Sequence, residues 1–105
     1  HYAPKTNCKL VYNSDNDKMI EEILSIANAN ANVLIVCTTE NLDKFEGYNC
    51  IDMGSKNDLL QISHNLFSIL RSIDKSNASL AIVEGVEAEG IGLAIMNRLI
   101  RACEC

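Results

Sequence analysis

Asp15 and Asp17 follow the first apolar run of the chain, and Asp52 lies near the end of the third. Carboxylates gathered at strand ends can hold a magnesium ion and leave one aspartate to accept a phosphoryl group. The same residues also serve as turn and cap formers. Gly90-Ile91-Gly92-Leu93-Ala94-Ile95 begins as a dinucleotide fingerprint would, but Ile95 stands where a third small residue must let helix and strand approach. The two glycines are therefore expected to ease a strand-to-helix turn. Gly54-Ser55-Lys56 has the composition of a phosphate loop but lacks the spaced upstream glycine and the Gly-Lys-Ser/Thr order that wraps a phosphate in backbone amides. It reads as a turn and a helix cap. His64 has no Cys or second His at ligand spacing and is expected on the surface or half-buried. Glu84, Glu87 and Glu89 are expected to be solvated loop acids. The five cysteines include no Cys-x-x-Cys pair, so neither a disulfide framework nor a zinc site is indicated. Cys103-Glu104-Cys105 could clasp a soft metal only with further ligands, and none stands at a recognisable spacing. No catalytic residue and no metal ligand is assigned.

These residues need elements to position them. Lys9 to Tyr12 is a short β-prone run, followed by the turn-rich Asn13 to Asp17 and by Met19, Ile20, Ile23, Leu24 and Ala27 at helical spacing. That helix is expected to end in Asn28 to Asn32, because asparagine is a poor helix former that tolerates the left-handed conformation. Val33 to Thr38 is a continuous apolar, β-branched run, as in a strand covered on both faces. Asn41 to Glu46 reads as a polar connector of one or two helical turns, and Tyr48 to Met53 as a third strand. Ser55 and Asp58 form a candidate capping box before Leu59, Ile62, Leu66, Ile69 and Ile73, the clearest amphipathic helix in the chain. Leu80 to Val83 is a fourth strand, and a closing helix follows Gly90 and Gly92. Strands alternating with helices imply a three-layer, Rossmann-like α/β sandwich around a mainly parallel sheet of about four strands. The expected strand order is 3-2-1-4.

With 105 residues, 48% hydrophobic and 22% charged, the chain has material for one core that needs no staples. A net charge of −5 and nine scattered Lys and Arg argue against direct nucleic-acid binding by this piece itself, since phosphate neutralisation needs a basic patch. Apolar runs such as Val33 to Cys37 fall well short of the about 18 residues that span a bilayer, and no signal-peptide pattern opens the chain. No membrane association and a cytoplasmic, reducing location are expected.

The chain opens with His1-Tyr2-Ala3-Pro4-Lys5, without an initiator Met, and reads as the end of an interdomain linker. Residues 1–8 are taken as linker and 9–105 as one α/β accessory domain. Pro4 fixes its own φ and holds Ala3 extended, so the strip is suited to presenting a ring and an imidazole to a neighbouring surface. This segment resembles the end of the Lys-Tyr-x-His-Tyr-x-Pro arm of the long, two-domain form of threonylcarbamoyl-AMP synthase, in which a YrdC-type catalytic domain precedes the arm. The closing Gly90 to Ala102 segment, with Gly-Ile-Gly-Leu and Asn97-Arg98-Leu99, is similar to the end of the same family's accessory domain.

The resemblance implies a nucleotidyltransferase parent, an L-threonylcarbamoyladenylate synthase. It would condense L-threonine, bicarbonate and ATP, with magnesium, for tRNA threonylcarbamoyladenosine biosynthesis. Its catalytic residues, ATP and metal would belong to the YrdC-type domain, so this fragment is expected to be inactive by itself and to carry no cofactor. His1, Tyr2 and Pro4 would contact the catalytic domain's active site as a lid, although in the fragment the strip is expected to fray. Asn97 and Arg98 would tie the last helix to the linker or to the catalytic domain, or else lie on a solvated helix face. Two other readings stand beside this one: a receiver-like phosphoacceptor with an Asp15/Asp17/Asp52 pocket, and an interaction module without a ligand.

Overall fold

The structure, a computed structural model, describes the backbone of residues 2–104 and the side chains of residues 2–103. Four strands and three α-helices alternate: β1 (Asn7–Val11), α1 (Asn16–Asn28), β2 (Val33–Cys37), β3 (Asn49–Asp52), α2 (Leu59–Lys75), β4 (Leu80–Glu84) and α3 (Ile91–Glu104). A 3-10 helix, Thr39–Phe45, joins β2 to β3. All strand pairs are parallel, in the order β1-β4-β2-β3.

This order differs from the expected 3-2-1-4, because β4 lies between β1 and β2. The difference follows from apolar content. Every residue of β2 is buried, as are all but the first of β4. The edge strands carry exposed Asn7 and Lys9 in β1, and exposed Asn49 and Asp52 in β3. Central strands are covered on both faces and cannot place such side chains, whereas a sheet edge tolerates them.

One face of the sheet packs Leu34, Val36, Ala81 and Val83 against Ile62, Leu66, Ile69, Leu70 and Ile73 of α2 and Ile95, Leu99 and Ala102 of α3. The other packs Val33, Ile35, Cys37 and Ile82 against Met19, Ile20, Ile23 and Ala27 of α1 and Phe45 of the 3-10 helix. The alternation of side chains along each strand assigns the two faces. The result is the three-layer sandwich that the order of elements implied.

Local starts and stops are set by side chains. Asp15 caps α1 by accepting from the backbone of Asp17 and Lys18, and Asn32 turns the chain into β2 with φ of 55°. The α2 cap is Asp58, which accepts from Gln61 N at 3.2 Å, and not Ser55 as the capping-box spacing suggested. The Ser55 hydroxyl instead donates to Glu40 and accepts from Asn57 N, which makes residues 54–57 a separate turn. Gly54 lies at the head of that turn with φ of +115°, and a Cβ there would meet Ile62 Cγ1 at 3.1 Å. Gly54→Ala is expected to cost about 1–2 kcal/mol in chemical denaturation. A cost near zero would mean the turn is free to rearrange.

Candidate functional site

Residues 2–6 of the amino-terminal strip are hydrogen-bonded to the domain, where fraying was expected. Thr6 donates to Asp74 through both its backbone N–H (2.9 Å) and its hydroxyl (2.8 Å), and Lys5 N donates to the same carboxylate at 3.1 Å. The Tyr2 hydroxyl is a fourth donor to Asp74. The Tyr2 ring meets Phe67 edge-on, with centroids 5.7 Å apart, and the Arg71 guanidinium lies over the Phe67 ring, 5.6 Å from its centroid. Arg98 in α3 donates to the Tyr2 carbonyl at 2.7 Å through one nitrogen of its guanidinium. Pro4 is buried and Asn97 is exposed. His1 lies outside the described residues. The strip is thus held from two helices of its own domain, and β1 begins at Asn7, two residues before the sequence-based boundary.

Asp74 sits in the last turn of α2, where the helix dipole opposes a negative charge. Four donors from the strip offset that penalty. The Tyr2 hydroxyl first, and the Thr6 and Lys5 donors after it, hold the Asp74 carboxyl far below the usual carboxylate range. In return, the hydrogen bond to Asp74 raises the Tyr2 phenol above its ordinary value. Asp74 was not singled out from the sequence. The available signal was an acid placed where a helix prefers a base.

The second feature is a crevice at the carboxyl ends of the strands. β1 leads to α1 on one face of the sheet, and its neighbour β4 leads to α3 on the other, so the two connections part and leave a gap of about 270 Å³. Open parallel sheets bind ligands at such a divergence. Asn13, Ser14, Asn16, Lys56, Asn57 and Glu87 contribute polar groups to its walls, and Glu84 closes its floor. Glu84 is 2% exposed, which corrects the reading of it as a solvated loop acid. It accepts from Thr38 N (2.9 Å), the Thr38 hydroxyl (2.9 Å) and the Asn41 amide (3.1 Å). Asn41 and Asn16 exchange a reciprocal pair of side-chain bonds at 2.9 Å, so one polar chain ties α1, the loop after β2 and the end of β4 together.

The remaining sequence candidates separate. Asp15 is spent on capping α1. Asp52 accepts from the Thr39 hydroxyl at 2.7 Å and from Gly54 N at 2.9 Å. Because β1 and β3 form opposite edges of the sheet, Asp15 follows and Asp52 ends strands that lie three spacings apart, roughly 14 Å. The receiver-like acidic pocket is therefore not assembled. Among the described residues no group of three or more His, Cys, Asp or Glu side chains could hold a metal ion. Gly92 serves the turn into α3, because a Cβ there would stand 2.0 Å from the Glu87 carbonyl oxygen. His64 is exposed on α2. No helix among the described residues is long and apolar enough to cross a membrane.

These features define a class: a small parallel α/β domain that holds an amino-terminal arm against its α2 and α3 helices. The family profile described as "Threonylcarbamoyl-AMP synthase, C-terminal domain" matches residues 1–103. The chain belongs to that family. It is 32% identical over 105 residues to the threonylcarbamoyl-AMP synthase of Pyrococcus abyssi, covering 97% of this chain and 29% of that protein. A crystal structure of Pyrococcus abyssi Sua5 complexed with L-threonine superposes with a TM-score of 0.74 at 29% identity, over 99% of this chain and 30% of that one. The separately crystallised C-terminal Sua5 domain from Pyrococcus horikoshii matches with a TM-score of 0.64 at 27% identity, over 91% of each chain. This chain spans less than a third of the length of the curated relatives it matches.

Proposed function

We propose that this domain is the accessory part of an L-threonylcarbamoyladenylate synthase and that its task is to root the arm that covers the active site of a linked YrdC-type domain. In this reading the parent is a cytoplasmic nucleotidyltransferase that forms threonylcarbamoyl-AMP from L-threonine, bicarbonate and ATP, for tRNA threonylcarbamoyladenosine modification. ATP and magnesium are held by the catalytic domain. The domain described here meets neither tRNA nor membrane, and without its partner it is inactive.

The observation that carries this reading is the grip on residues 2–6 by Asp74 and Arg98. A covering segment must be ordered at its base, since each freely rotating residue costs about 1–2 kcal/mol to fix at closure. Rooting the base in a folded domain meets that cost in advance. The closed arm then keeps water from a hydrolysable acyl-adenylate. In the structure the Tyr2 ring rests on Phe67, within the rooted strip. In the closed enzyme it leaves this berth and covers the nucleotide, with His1 and Pro4 beside it, while Lys5 and Thr6 stay bound to Asp74.

The test is pyrophosphate formation by the full-length protein carrying Tyr2→Ala, together with the fraction of adenylate retained on the enzyme. Turnover and retention are both expected to fall, retention by roughly tenfold, the equivalent of about 1.4 kcal/mol. Unchanged turnover with unchanged retention would remove the covering role.

A further inference from the structure

Two pairs of cysteines stand in contact in this fold, and their surroundings give them opposite characters. Cys37 is fully buried in β2, and burial first, then the charge of neighbouring Cys50, pushes its thiol far up. Cys50 on β3 is likewise raised by burial, against a hydrogen bond from Cys37. A thiol that stays protonated is a poor nucleophile, and this pair is inert.

The other pair lies at the open edge of the sheet. Cys8 in β1 and Cys103 in the last turns of α3 are both half-buried against the core face formed by α2 and α3. With Lys9, Leu10, Leu80 and Ile100 they line one cleft that opens to solvent. The Cys103 thiol hydrogen-bonds the Cys8 sulfur and lowers the Cys8 pKa, against burial and the charge of Asp74, which raise it. Cys8 also contacts the Thr6 carbonyl at 3.4 Å, so this sulfur sits two residues from the root of the arm.

We propose that Cys8 and Cys103 are a thiol modification site, a vicinal dithiol that closes to a reversible disulfide and fastens β1 to the end of α3 beside the arm's root. The oxidant is a low-molecular-weight disulfide such as oxidised glutathione. The Cys8 thiolate attacks one of its sulfurs, the reagent's S–S bond breaks, and one small thiolate leaves. Cys103 gives its proton to solvent and attacks Cys8 Sγ, expelling the second small thiolate. Two protein thiols lose two electrons in all, and one small disulfide becomes two small thiols. This chemistry is independent of the parent's reaction, and because the bond closes a loop between positions 95 residues apart it constrains the unfolded state strongly.

The test uses the 105-residue chain and a Cys105→Ala variant, each equilibrated with oxidised glutathione and mapped by tandem mass spectrometry after trypsin. The expected result is a loss of two titratable thiols, a Cys8–Cys103 linkage that persists in Cys105→Ala, and a melting temperature raised by about 5 °C or more and restored by dithiothreitol. In Cys103→Ser the mixed disulfide should instead accumulate at Cys8. A linkage through Cys105 or between Cys37 and Cys50, glutathionylation of Cys8 that never resolves in the native chain, or no reaction at Cys8 would each overturn the proposal.

Discussion

Replacing Glu84 with alanine is expected to lower the unfolding free energy by about 3–5 kcal/mol, the largest effect of any single substitution at the crevice. Among the described residues the carboxylate has no basic partner. Its three contacts are neutral donors from Thr38 and Asn41, which are themselves 0% and 2% exposed. Truncation leaves the Thr38 backbone N–H, the Thr38 hydroxyl and one N–H of the Asn41 amide, whose other N–H stays on Asn16, buried without an acceptor, and it opens a cavity beneath the crevice. Glu84→Gln keeps the shape but turns an N–H₂ toward donors, so it should lose about 1–3 kcal/mol. For a domain whose total stability is of order 5–15 kcal/mol, the alanine variant approaches unfolding. Urea denaturation reads both values as shifts in midpoint at constant slope. A loss below about 1 kcal/mol for Glu84→Ala would show that the network is replaceable by water.

Asp74→Ala is expected to cost about 2 kcal/mol and to release residues 2–6 without disturbing the core. Four donors meet this half-buried carboxylate, and solvent screening discounts each of them below its buried value. Amide exchange at Lys5 and Thr6 should accelerate while Ile82, in the middle of β4, keeps its protection. The pH dependence has a definite sign. The folded pKa of Asp74 lies below its ordinary value of 3.8, so its stabilisation is fully present above pH 3.8 and is lost as pH falls through the lower folded value. Wild-type stability should therefore decline between about pH 4 and pH 2 more steeply than that of the alanine variant. Parallel pH profiles would mean that the carboxylate does not hold the strip.

Local pattern carried much of this structure. The stripe Leu59, Ile62, Leu66, Ile69 and Ile73 marked α2, and the apolar runs Val33 to Cys37 and Leu80 to Val83 marked β2 and β4, because periodicity and β-branching act within one element. The arm and the closing Asn97-Arg98 segment were legible through family resemblance. Strand order was not, because it depends on which strands compete best for the sheet centre, a comparison across elements. Glu84 and Asp74 were missed for a related reason. Glu84 meets its partners 43 and 46 positions away, and Asp74 meets its own 68 to 72 positions away, so neither environment is written near the residue. The aspartates at 15 and 52 erred the other way. Their types suggested a joint site, but sheet order sends them to opposite edges.

The root's role is tested most directly in the full-length protein carrying Asp74→Ala, by single-turnover measurement of the fraction of threonylcarbamoyl-adenylate kept on the enzyme. If the domain roots the arm, retention falls by roughly tenfold while Ile82 keeps its exchange protection. Retention at the wild-type level, with exchange at Lys5 and Thr6 demonstrably accelerated, would contradict it.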